Sequence, residues 1–240
     1  VGCPNVVVIP NGADETEFDG RPPDLERLRH AAGLDSRLER LVVAVGTHFA
    51  SKGHREAIQA FGRARSCAGA TLLIVANTPP GGGCAGSCSR RRRLANLRHR
   101  DRRVIVADLP RAHTVDALKA ADLLIHTSWL ECSPLVLFEA AAAGTPFVAN
   151  DVGNAREIAD WTRGGVVVGG FQHPLGQTKP NVQGIAEAID DTIDGSGSPQ
   201  RAAMIRRDSF ARRFGWISIA RHYERALTGF TLAADSHATR

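Results

Sequence analysis

Apolar runs of strand length alternate with helix-like stretches through the first two thirds of the chain, and that alternation limits the fold more than any other feature. Leu41-Val42-Val43-Ala44-Val45-Gly46 is an unbroken apolar run closed by glycine, the pattern of a parallel strand buried on both faces. Ala57, Ile58, Phe61 and Ala64 follow at helical spacing. The signal then repeats, with strands at 71–75, 103–107, 123–126, 146–149 and 166–168. Between them lie a Gly/Pro/Ser/Cys-rich loop at 78–89, helices at 115–121 and 135–143, and a helical turn at 157–161. Strands and helices alternating at this spacing predict βαβ units and a parallel sheet. Right-handed crossovers make the sheet doubly wound and Rossmann-like, with ligands at the carboxyl ends of its strands. Helices at 185–193, 200–213 and 216–227 predict a helical C-terminal segment. Residues 1–20 read as a lead-in linker, 21–230 as the α/β domain and 231–240 as a flexible tail.

Aromatics make up only 5% of the chain, so the core must rest on aliphatic side chains and alanine. No apolar run approaches the ~20 residues that cross a bilayer. The opening Val1-Gly2-Cys3-Pro4 resembles neither an initiator start nor a signal peptide, so the chain reads as part of a longer protein. Of 30 basic residues only Lys52, Lys119 and Lys179 are lysines, which reflects a compositional bias toward arginine more than a binding surface. Five cysteines scattered at 3, 67, 84, 88 and 132 do not form a secreted disulfide framework and favour the cytoplasm.

The segment richest in chemistry runs from Ser128 to Pro146. It leaves a strand, turns at Cys132-Ser133 and enters a helix near Pro134, where proline is favoured. Unpaired N–H groups and the dipole at that helix start suit a diphosphate. Glu131 lies just before the helix, and Glu139 lies inside it among Leu137, Phe138 and Ala140. A carboxylate in such company must be solvated or partnered. It can accept hydrogen bonds from two sugar hydroxyls, or pair with an arginine.

This segment resembles the Glu-x7-Glu motif of retaining glycosyltransferases with the two-domain GT-B architecture. Five further segments resemble the same family in the same order. They are Pro10-Asn11-Gly12-Ala13-Asp14 with Phe18, Gly46 with Lys52-Gly53, Ala121-Asp122, Asp151-Val152-Gly153-Asn154 with Glu157-Ile158, and Phe214-x-Trp216 with Tyr223. The resemblance spans about residues 8–227 and implies the C-terminal, donor-binding half of a GT-B fold. It implies a nucleotide-diphosphate sugar as donor, no metal cofactor, and a partner N-terminal Rossmann-like domain that carries most acceptor recognition. Gly46 and Thr47 would then form the phosphate turn, Lys52 would neutralise the diphosphate, and Leu109 would border the base. Ser133, Pro134, Leu135 and Val136 would supply the helix start, Glu139 would hold the ribose, and Glu131 would act beside the transferred sugar. Two positions depart from the family pattern. Thr47 stands where an Arg usually follows the Gly, with His48 as a candidate substitute, and Cys132 stands where Gly often follows the first Glu.

Other signals carry less. Gly81-x-Gly83-x-x-Gly86 matches a dinucleotide fingerprint, with Asp108 beyond it, but Pro79-Pro80 intervenes after the strand, so a flexible loop is the simpler reading. Cys84-x-x-x-Cys88 supplies half a zinc site with only His99 near in sequence, so free loop thiols are expected. Arg90 to Arg93 have no interleaved aromatics to stack bases, so a solvated face is expected rather than nucleic acid. Contact with anionic lipid, which would make the protein membrane-peripheral, is the weaker reading there. His126, at a strand end, reads as a packing residue near the pocket rim.

Overall fold

In the computed structural model, which describes residues 6–35, 39–195, 210 and 213–237, six strands form one parallel sheet. They are β1 (Arg40–Val45), β2 (Ala70–Val75), β3 (Arg103–Ala107), β4 (Leu123–His126), β5 (Phe147–Asn150) and β6 (Gly165–Val168), in spatial order β3-β2-β1-β4-β5-β6. The Rossmann-like, doubly wound sheet predicted from the alternation is therefore present, in the strand order of the dinucleotide-binding folds.

Alternate residues of each strand serve opposite faces, as the two-residue period requires. Leu41, Val43, Leu73, Val75 and Leu124 pack into one core with α4 (Arg111–Ala120), α5 (Leu135–Ala143) and α6 (Ala155–Thr162), and with α1 (Leu25–Ala32). Val42, Ala44, Leu72, Ile74 and Leu123 pack into the other with α2 (His54–Arg63) and α7 (Val182–Asp194). Full burial of each such valine, leucine or isoleucine stabilises the fold by about 1.5–3 kcal/mol, and the continuous apolar runs reflect that demand on both faces.

Four differences from the sequence reading have physical reasons. The Gly-rich loop ends early, because α3 (Ala85–Arg98) begins inside the stretch read as loop to residue 89. Its sequence AGSCSRRRRLANLR buries only Cys88, so it carries no amphipathic signal. The two-residue strands β7 (Phe171–Gln172) and β8 (Thr178–Lys179) form an antiparallel hairpin too short to leave a pattern. The final helix α8 (Trp216–His237) continues through the stretch read as a tail from residue 231. The first twenty residues are more than a linker, since Ala13 and Phe18 are buried in the first core. Most of the helix expected at 200–213 lies outside the described residues.

The N- and C-terminal segments are joined around Ala13 and Glu15. Ala13 forms a bridge with Gly215 and donates its N–H to the Phe214 carbonyl at 3.1 Å. A Cβ on Gly12 would lie 2.0 Å from that carbonyl oxygen, so only glycine permits the approach. The Glu15 carboxylate accepts the Trp216 and Ile217 N–H groups at the start of α8. Asp122, of the Ala-Asp pair before β4, accepts the Leu41 N–H at 2.8 Å. These contacts give the Pro-Asn-Gly, Ala-Asp and Phe-x-Trp segments a structural purpose in this chain.

Candidate functional site

The chain departs from β1 and β4 in opposite directions along the sheet, and their carboxyl ends open the crevice where such folds place ligands. After β1, Gly46 and Thr47 lead through His48 and Phe49 to a single 3-10 turn, Ala50–Lys52, and then to Gly53 at the start of α2. Gly53 has φ +68° and donates to the Ala50 carbonyl. A Cβ there would lie 1.9 Å from the Thr127 carbonyl oxygen. The Thr127 hydroxyl donates to the Gly53 carbonyl at 2.8 Å, and the Trp129 N–H donates to the Ser51 carbonyl at 2.7 Å. The turn after β1 and the exit of β4 are thus laced together by backbone contacts. The packing requires glycine at residue 53.

This lacing sets Lys52 against Glu131, Nζ to Oε1 at 2.7 Å. Burial opposes ionisation of Glu131, but the Lys52 bond and the Ser128 hydroxyl outweigh it and hold the carboxyl below its ordinary value. His126 lies behind them, Nε2 3.8 Å from Glu131 Oε1 and without a hydrogen-bond partner. Burial lowers this imidazole to about 4, against the pull of the Glu131 charge and with that of Lys52. The site therefore contains a neutral imidazole beside an ion pair at neutral pH. Below about pH 6.5 the unfolded chain binds a proton that the folded His126 accepts only near pH 4, so folding stability falls across that window. Urea unfolding of the wild type is expected to lose up to about 3 kcal/mol from this group between those limits. A His126→Gln variant should show a shallower decline; the same pH dependence in both would refute the assignment.

Glu131 leads through Cys132 to α5, whose N-terminal neighbour Pro134 makes no side-chain cap. The first N–H groups of α5, at Leu135 and Val136, have no acceptor within the helix. The Ser133 hydroxyl beside them is buried without a partner. The helix behind is buried almost throughout, which fixes its start rigidly against the sheet. Glu139 is its one charged residue, with a side chain 14% exposed and bonded to Arg111 at 2.7 Å. Burial raises the Glu139 pKa, and the Arg111 charge and hydrogen bond offset this only in part. Arg111 also binds Glu17, a bond that keeps the guanidinium charged. It lies two residues beyond Leu109, which packs against the core in the turn between β3 and α4. The arginine partner that sequence reasoning held open for Glu139 is therefore Arg111, which no local pattern singled out.

The two departures from the family pattern have different outcomes. Cys132 strains nothing, because Arg163 is the only non-glycine residue with positive φ among the described residues. The Cys132 carbonyl accepts the Asn154 N–H at 3.1 Å, and Gly153 fits beneath the turn where a Cβ would lie 2.3 Å from that oxygen. Asp151-Val152-Gly153-Asn154 thus shapes the Glu131 turn. Thr47 has no cationic replacement in His48, which is buried, lowered in pKa by that burial, and turned toward Cys84.

The expected thiols of Cys84 and Cys88 are free, but they lie at the start of a helix rather than in a loop. Cys84 opens α3 and Cys88 lies buried in its first turn, the former against His48 of the turn after β1 and the latter against His54 at the start of α2. His99 instead lies against Gly62 of α2. Of the dinucleotide-like run, Gly83 serves packing: a Cβ there would lie 1.8 Å from the His48 carbonyl oxygen, to which Cys84 N–H donates at 2.8 Å.

Comparison with known proteins identifies the family and the fold. The family model described as Glycosyl transferases group 1 matches residues 39–195. The chain is 28% identical over 219 residues to a glycogen synthase of Mycobacterium tuberculosis, covering 91% of the chain and 47% of that protein. It is 30% identical over 174 residues to a D-inositol 3-phosphate glycosyltransferase of Mycobacterium leprae, covering 70% and 38%. The chain thus spans less than half the length of these curated relatives. Among solved structures, sucrose-phosphate synthase of Thermosynechococcus elongatus matches with a TM-score of 0.64 at 23% identity, over 98% of this chain and 53% of that one. The Anabaena protein HepE in complex with UDP matches with a TM-score of 0.71 at 21% identity, over 93% and 57%. These likenesses establish the fold as one half of a GT-B architecture.

Proposed function

The chain belongs to the group 1 glycosyl transferases, and on that premise we propose that it is the donor-binding domain of a retaining glycosyltransferase. The observation that carries the reading is the convergence of Lys52, Glu131 and the free N-terminus of α5 at the crevice between β1 and β4. In this reading a nucleotide-diphosphate sugar lies across the crevice, with its diphosphate between Lys52 and the N–H groups of Leu135 and Val136. Lys52 is held ready by Glu131 and can turn to the more highly charged diphosphate when the donor arrives. Glu139, kept in place by Arg111, accepts the ribose hydroxyls. As the bond from sugar to diphosphate breaks, negative charge grows on the leaving oxygen, and Lys52 and the helix start already face it. Glu131 lies beside the sugar and stabilises positive charge developing there. This reading draws the cationic help from Lys52 and backbone dipoles, without a metal in the transfer step.

Turnover in this reading requires a second Rossmann-like domain that carries the acceptor. The compartment is the cytoplasm, where the thiols stay reduced, and the arginine face of α3 is free to meet an anionic membrane. No helix among the described residues is long and apolar enough to cross one.

A thermal-shift panel of UDP-, GDP- and ADP-sugars tests the reading, with stabilisation by one of them expected. Titration with the responding nucleotide should then show Lys52→Ala and Glu139→Ala each weakening binding about 10- to 100-fold, or about 1.4–3 kcal/mol. The matching nucleoside, lacking phosphates, should be indifferent to Lys52→Ala. Unchanged affinity in both variants would overturn the pocket assignment. Steeply salt-dependent binding to RNA or DNA without any nucleotide-sugar shift would overturn the function.

A further inference from the structure

Four side chains that the donor site does not use converge beside it. Cys84 Sγ and Cys88 Sγ are 3.4 Å apart, Cys84 Sγ is 3.7 Å from His48 Nδ1, and Cys88 Sγ is 3.7 Å from His54 Nδ1. All four ligand atoms lie within 4.8 Å of one another. A tetrahedral zinc with Zn–S of ~2.3 Å and Zn–N of ~2.0–2.1 Å has edges of about 3.4–3.8 Å between its ligand atoms. These three contacts fall within that range, and the other pairs of ligand atoms lie within 4.8 Å. We propose that His48, His54, Cys84 and Cys88 bind a structural zinc ion that clamps the N-terminus of α3 to the turn between β1 and α2.

The surroundings favour a metal over free thiols. His48, His54 and Cys88 are each less than 5% exposed and Cys84 is partly buried, a set of four protein ligands as a structural site requires. The other nitrogen of the His54 ring, Nε2, lies beside Gly46 and is buried without a hydrogen-bond partner. The glycine run at 81–83, each residue with positive φ, lets the chain press onto the His48 carbonyl and deliver Cys84. A cavity of about 270 Å³ bordered by His54, Cys84, Cys88 and Trp129 opens a path for the ion. On binding, each thiol releases its proton to solvent as its S–Zn bond forms. The two charges of Zn²⁺ are then met by two thiolates, with both imidazoles neutral, and the buried site carries no net charge.

The ligand pattern spans two segments, His-x5-His before and within α2 and Cys-x3-Cys at α3. Lys52 lies between the two histidines, so the clamp braces the loop that presents it. The metal site itself stands on its four ligands and does not depend on the nucleotide reading.

The test is the metal content of the full chain, purified under reducing conditions and without a histidine tag, with loss on substitution. Wild type is expected to hold about one zinc per chain, while Cys84→Ser and His54→Ala hold less than about a tenth of that. Cys132→Ser and His99→Ala should keep it. Because a ligand variant can fail to fold, chelator-stripped wild type is also titrated with Co²⁺. Intense tetrahedral cobalt bands with a thiolate charge-transfer band support the site. Absence of zinc and of that band, zinc retained by the ligand variants, or a Cys84–Cys88 disulfide found in the folded protein would each overturn the proposal. Failure of nucleotide-sugar binding in a protein that still holds its zinc would instead count against the donor-site reading alone.

Discussion

Gly53→Ala is expected to destabilise the protein by about 2–4 kcal/mol and to weaken nucleotide binding with it. Two costs combine. The residue has φ +68°, which alanine adopts only under strain, and its Cβ would lie 1.9 Å from the Thr127 carbonyl oxygen. The only relief is for the turn after β1 to move away from the exit of β4. That movement breaks the bonds from Thr127 Oγ1 to Gly53 and from Trp129 N–H to Ser51, and it separates Lys52 from Glu131. Denaturant unfolding measures the stability loss, and titration with the responding nucleotide measures the second effect. An alanine variant as stable as the wild type would show that the close approach is absent in solution. Gly33→Ala is the informative control. It has a similar φ of +65° but nothing within 4 Å of the added Cβ, so it should pay only the backbone cost of about 1–2 kcal/mol.

Phe138→Ala is expected to cost about 3–5 kcal/mol and to lower the thermal midpoint by on the order of 10 °C. Phe138 is fully buried on α5, immediately before Glu139. Its ring lies 5.6 Å from that of Phe214, which in turn stacks on Trp161 at 5.9 Å. Truncation opens a cavity between the sheet, α5 and the segment that joins the two ends of the chain. The backbone around Gly12 and Gly215 leaves little room to close that cavity, because Phe214 is fixed there by its own carbonyl. Calorimetry decides the matter: a midpoint within a degree or two of wild type would mean that this aromatic group is not a core element. The same variant should bind nucleotide more weakly only as far as α5 shifts, since Phe138 itself points away from the crevice into the core.

Much of the architecture was legible in the chain before any coordinates. The strands at 103–107 and 123–126 and the helix at 135–143 occur where their patterns placed them; the strand at 123–126 and the helix are decided by apolar neighbours on nearly every side, and the edge strand at 103–107 by its short apolar run. The order of motifs then identified the family, which the match over residues 39–195 bears out. The elements that escaped were those whose stability is not written in periodicity. α3 buries one residue and is otherwise arginine and small side chains, so its helical state depends on what it packs against. The β7–β8 hairpin is too short to carry a two-residue alternation.

The candidate site divides the same way. Local sequence determined which residues stand at strand ends and helix starts: Gly46, Lys52, Glu131 and Ser133 are placed there by the alternation of elements, and Glu139 inside the helix that follows. Pairing was decided only by the tertiary structure. Lys52 reaches Glu131 across 79 positions because Gly53 lets two loops touch, and Arg111 reaches Glu139 because α4 packs on α5. His48 and His54 meet Cys84 and Cys88 because three glycines fold one loop onto another. A pattern along the chain reports what each residue's immediate neighbours require. Contacts between charges and ligands distant in sequence depend on how closely two backbones can approach, and that is set by packing in three dimensions.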